Sequence, residues 1–208
     1  MKSLIRIAWC VAVSALTFST GCADGQSLSE KYPTQWTTCN ALFGAKNMES
    51  LRDMLDSDDL KFSNPKLSVD QVKKSLAKEA IVPYDKRKGF DTYDVCTLSG
   101  NGTFDATVRW SADTLKAVQT YTDRWHRASA DVYVSEASPI HLVFRCEIKG
   151  AASGPHVQVL LEVRTWESST NLSTDFHQKL SVNLARTLRD ELACTNKPNI
   201  PDDLQLSK

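Results

Sequence analysis

Four histidines and six cysteines are the side chains of this chain best suited to metal binding or nucleophilic chemistry, and their spacing argues against both. His126, His141, His156 and His177 are scattered, with no pair at the i, i+4 spacing that sets two ligands on one helical face. No two of Cys39, Cys96, Cys146 and Cys194 stand at metal-finger spacing. Asp56-Ser-Asp58-Asp59 begins like an EF-hand loop, but Leu60 and Lys61 stand where an oxygen ligand and a glycine are required. The sequence contains no Gly-x-Ser-x-Gly elbow, phosphate-binding glycine loop or dinucleotide fingerprint. The reading is therefore no catalytic residue, no metal ligand and no cofactor, and a non-enzymatic protein is favoured. A hydrolase whose active site joins residues distant in sequence is the enzymatic alternative.

The amino-terminal cysteines have a different meaning. Met1-Lys2-Ser3-Leu4-Ile5-Arg6 places two positive charges ahead of the apolar stretch Ile7–Phe18. That stretch is too short for a membrane span, which needs roughly 20 residues, and it matches a secretory signal peptide over 1–21. Ser19-Thr20-Gly21-Cys22 then resembles a bacterial lipobox, although Ser19 stands where leucine is usual. Cys22 is the expected site of diacylglyceryl attachment, since two acyl chains hold a protein on a membrane where one barely does. The plainer alternative is ordinary signal cleavage and free secretion. In an exported chain the four body cysteines read as two disulfides, which leaves no thiolate for catalysis.

Charge supports no nucleic-acid partner, because Lys+Arg and Asp+Glu both number 25. The 41% apolar content is enough for a packed core. Residues 22–36 are polar around Pro33 and read as a tether, followed by one domain over 37–195 and a polar tail over 196–208. Thr37 or Thr38 is placed to cap a short helix with Leu42 and Phe43, and Asn47 to cap a second with Met48, Leu51, Met54 and Leu55. Ser68-Val-Asp-Gln71 has the form of a capping box. The stretch around Leu115, Val118, Tyr121 and Trp125 has a helical apolar stripe, although Trp125-His126-Arg127 could line a pocket.

The second half alternates clearly. Ile140, Leu142, Phe144, Cys146 and Ile148 share one face, as do Val157, Val159, Leu161 and Val163 after a glycine-bounded turn. This predicts an antiparallel hairpin with one buried face. Pairing Lys149 with His156 would set His141 beside Arg164. His141, Arg145, His156 and Arg164 thus form a candidate binding face on the outward side. The plainer reading of that side is a solvated surface, and it is preferred. A helix follows from about Thr174 to Ala193, with Phe176, Leu180, Leu184, Leu188 and Leu192 at steps of four.

Residues 95–110 and 145–166 echo one another: Cys-x-Leu/Ile-x-Gly, a turn, and a strand ending in Val-Arg and Trp. The domain could comprise two similar halves, 37–112 and 113–195. Four cysteines admit three pairings. The echo favours Cys39–Cys96 and Cys146–Cys194, each tying a helix end to a strand. The expected fold is α+β, an antiparallel sheet of hairpins with helices packed on one face.

The export signal, Ser19-Thr20-Gly21-Cys22, the tether with Trp36 and Cys39 opening the domain, and the four-cysteine α+β body together resemble small cell-envelope lipoproteins of actinobacteria. That resemblance implies an extracytoplasmic protein on the outer face of the membrane and implies no activity. The expected role is a membrane-tethered binding or accessory domain, its partner an envelope protein or a small ligand.

Overall fold

The computed structural model describes residues 27–55, 60–64, 67–82, 91–135, 139–150, 159–168 and 172–205. The signal peptide, Cys22, the Asp56–Asp59 run and His156 lie outside the described residues. Seven antiparallel strands form one sheet: β1 (Lys61–Asn64), β2 (Tyr93–Gly100), β3 (Gly102–Thr114), β4 (His126–Arg127), β5 (Val132–Ser135), β6 (Ile140–Arg145) and β7 (Val159–Ser168). Their order is β1-β2-β3-β7-β6-β5-β4, so the β2–β3 and β6–β7 pairs, the two segments that echo in sequence, meet at the centre through β3 and β7. The α+β expectation holds.

Against one face lie α2 (Pro33–Phe43), α3 (Ala45–Met54), α4 (Val69–Ala80) and α6 (Thr174–Glu191). Their inward side chains, Leu42, Met48, Leu76, Leu184 and Leu188 among them, are buried against Val95, Phe104, Val108, Phe144 and Val163. Local chemistry sets the helix limits. Ser68 and Gln71 form the reciprocal capping box of α4, and Ser173 caps α6 by accepting from the Phe176 N–H. Trp110 in β3 donates its indole N–H to the Leu76 carbonyl at 2.9 Å, joining sheet to α4 where water cannot substitute.

The first helices differ from expectation. Neither Thr37 nor Thr38 is a cap, because α2 begins at Pro33, whose fixed φ suits a first turn. Gly44 separates α2 from α3 with φ +85°, a conformation costly for any residue with a Cβ. Asn47 lies inside α3 and donates its Nδ2 to the Phe43 carbonyl at 2.6 Å across that break. The expected tether is also shorter, since α1 (Leu28–Lys31) and the start of α2 occupy its second half. Tyr32 and Trp36 explain this by packing edge-on against Phe62, 5.7 and 6.2 Å between ring centres.

Both disulfides link the pairs that the echo favours. Cys39 of α2 is bonded to Cys96 of β2, and Cys146, just beyond β6, to Cys194, just beyond α6. All four cysteines are buried. The second bond anchors the carboxy-terminal segment, which is not a free polar tail. Ile200 and Leu204 are buried in the main core, and Arg186 of α6 donates to the Ile200 carbonyl.

The remaining helix, α5 (Leu115–Thr120), sits on the opposite face of the sheet and is shorter than the apolar stripe suggests. Thr120 and Thr122 have poor helix propensity, and the Thr120 hydroxyl donates back to the Lys116 carbonyl. The chain leaves the helix at Tyr121, which is exposed, and then returns Trp125 to the sheet. No helix among the described residues is long and apolar enough to cross a membrane.

Candidate functional site

The outward face of the sheet is the place where charged side chains converge. Strand alternation puts Arg109 of β3, Glu162 and Arg164 of β7, and His141 of β6 on this side, opposite the main core. Register then makes them neighbours. Arg109 is directly opposite Glu162, and His141 directly opposite Arg164, as the hairpin register predicts.

Glu162 is the centre of this group. Its side chain is only 2% exposed, against 25% for Arg109 and 29% for Arg164. Arg109 donates Nε to Oε2 at 2.9 Å and Nη2 to Oε1 at 3.4 Å. Arg164 donates Nε to Oε1, and the His141 Nδ1 lies 3.3 Å from the same oxygen. Burial alone would raise the Glu162 pKa, but His141, Arg109 and Arg164 more than offset it and lower it to about 2. The carboxylate is therefore ionised throughout the physiological range.

A second apolar cluster explains the burial. Val118, Trp125, Tyr133, Val143 and Leu160 pack together on this side, with Leu115 of α5 against them. Val143 is the residue opposite Glu162 on β6, so one flank of the carboxylate is hydrocarbon. Trp125 meets His141 edge-on, 6.4 Å between ring centres, and the Arg124 guanidinium lies 5.2 Å from the indole centre. The expectation of a plainly solvated outer face is thus corrected for its β5–β6–β7 portion. The β3–β7 part beside it stays open, marked by Trp166 at 43% exposure.

The residues read from the hairpin divide. His141 and Arg164 come together at Glu162, whereas Arg145 stands apart, opposite Leu160 and ion-paired with Glu147. Arg109 was not recognisable from the hairpin alone. Its signal lies in the echo, where Val108-Arg109 and Val163-Arg164 correspond, and Val108 and Val163 are paired partners in the sheet.

This arrangement limits the available chemistry. A general acid needs a proton to give near neutrality, and Glu162 carries none. A general base needs a free lone pair aimed at a substrate, and the Glu162 oxygens already accept from two guanidiniums. The carboxylate instead fixes the two arginines in place. Among the described residues, Arg109 Nη1 and both Nη atoms of Arg164 have no partner.

The fold and site define a disulfide-linked α+β domain with an arginine-bearing open sheet face. Comparison with protein-family models, curated proteins and solved structures finds no match.

Proposed function

We propose that this protein is an exported, lipid-anchored domain of the bacterial cell envelope that binds a ligand or partner through the outer face of its sheet, without catalysis. The observation that carries the binding half is Glu162, an ionised carboxylate whose oxygens accept hydrogen bonds from Arg109 and Arg164, with His141 Nδ1 3.3 Å away. It serves recognition by holding two guanidiniums in fixed geometry. The hydrolase alternative needs a His–carboxylate pair able to exchange a proton, and this pair is committed to arginine. Export is supported by two buried disulfides, bonds that persist in oxidising compartments. Anchoring rests on the lipobox resemblance around Cys22.

Intact-mass spectrometry of the native protein from the membrane fraction tests the anchoring. The expected chain begins at Cys22, carries a diacylglyceryl group, and gains four hydrogens on reduction of its two disulfides. A processed, unlipidated chain found only in the soluble exported fraction would overturn the anchor.

A further inference from the structure

We infer that the open β3–β7 face binds an acidic sugar, a saccharide ring bearing a carboxylate or phosphate, with the anionic group on Arg164 and Arg109 and the ring against Trp166. This deepens the binding reading above and rests on it.

Charge balance at Glu162 is the argument for an anion. Asp53, Asp113, Glu147, Glu191 and Asp202 each pair with one cation, whereas Glu162 lies within ion-pair distance of two arginines, and of a histidine besides. At Glu162 itself two guanidiniums face one carboxylate, and the other acidic groups of this face, Asp105 and Asp94, stand at its far side. Both arginines sit beside a hydrocarbon cluster and are about three-quarters covered. Guanidinium N–H groups left without an acceptor in a partly desolvated place are costly, and an incoming anion supplies the acceptor. The Nη groups without a partner, Arg109 Nη1 and both of Arg164, offer the planar donor geometry suited to a carboxylate or phosphate.

The surroundings select a sugar among anions. Trp166 follows Arg164 by two residues on the same strand and face, and it is the largest exposed apolar side chain of that face. Asp105 lies directly opposite Trp166 on β3, and Thr107 opposite Arg164. Asp105 and Asp94, opposite Thr107 on β2, put acidic groups at one side of the patch and the arginines at the other. A bare inorganic anion would use only the arginine side. A ring with hydroxyls and one anionic substituent uses all of it: indole for its C–H face, Asp105 and Thr107 for hydroxyls, guanidiniums for the charge.

The test is NMR titration of the mature disulfide-bonded protein with glucuronate, glucose 6-phosphate, inorganic phosphate and glucose. The acidic sugars are expected to move the Trp166 indole N–H and the β3 and β7 amide resonances, which also report on the variants, with glucose and inorganic phosphate each weaker by about tenfold. Arg164→Gln should weaken both acidic sugars by about tenfold or more, while Trp166→Ala should weaken them and leave inorganic phosphate unchanged. Both side chains are partly exposed, so both variants should fold, which amide dispersion checks. Failure of both acidic sugars to bind, or binding unaltered in both variants, would overturn the inference. Glucuronate binding without glucose 6-phosphate binding, or the reverse, supports it and identifies the anion. Failure here with a lipidated Cys22 leaves the anchor standing, and an unlipidated chain that binds acidic sugars sinks only the anchor.

Discussion

Replacing Glu162 with glutamine is expected to lower the stability of the folded protein by about 3 kcal/mol at pH 7, far more than an ordinary polar substitution. Two lines of reasoning give this size. Removing one partner of a buried ion pair typically costs about 3–5 kcal/mol, because the other charge is left uncompensated. Independently, a carboxyl lowered from 4.5 to about 2 by folding corresponds to about 3 kcal/mol of preferential stabilisation of its charged form. Here two arginines would be left facing each other beside Val143 and Leu160. The effect has a definite pH dependence. A depressed carboxyl contributes stability that is complete above its unfolded pKa and is lost as pH falls toward the folded value. The gap between wild type and Glu162→Gln should therefore be widest above about pH 5 and close progressively on acidification toward 2. Urea denaturation of both proteins at several pH values measures it. A pH-independent gap would mean that Glu162 contributes shape and not charge.

Loss of the disulfides is the second large effect. The bonds join residues 57 and 48 apart in sequence, and each closes a loop worth about 4 kcal/mol in the chain-entropy model. A domain of this kind is stable by only about 5–15 kcal/mol, so losing both bonds should remove most of that margin. The two should also differ in what they release. Cys146→Ala/Cys194→Ala frees the carboxy-terminal segment, where the Thr195 N–H donates to the Glu147 carbonyl and Asn196 bonds both Arg145 and Glu147. Early loss of amide protection should then spread from 194–205 to the end of β6. Cys39→Ala/Cys96→Ala should instead loosen α2 from β2, leaving the β6–β7 register intact. Hydrogen exchange of each double variant distinguishes these outcomes, and identical protection patterns in the two would contradict the assignment.

Much of this fold is legible from local pattern, and the exceptions share a cause. The His141–Arg164 pairing follows from strict alternation on both sides of one turn, because a period of two leaves a single register that buries both apolar sets. The disulfides follow because the two echoing segments each carry one cysteine at the start of a hairpin. By contrast, the Arg109–Glu162 contact depends on β3 meeting β7, a pairing across 53 residues that alternation within either strand cannot specify. The same limit hides the apolar cluster on the outer face. Val143, Tyr133 and Leu160 occupy outward positions, and only the return of Trp125 after a short α5 reveals what covers them. Ile200 and Leu204 are two apolar residues in a polar segment, too sparse for a period, and their burial is set by Arg186 and the Cys146–Cys194 bond.

The central claim is that Glu162 holds arginines in place and exchanges no proton with a substrate. Carbon-detected NMR of its side-chain carboxyl, followed from neutral pH downward in the folded protein, tests it most directly. The account requires a carboxylate resonance that stays flat through the physiological range and shifts only as pH approaches about 2. A titration centred near about pH 6–7, where a general acid or base is poised, would contradict it and restore the hydrolase reading.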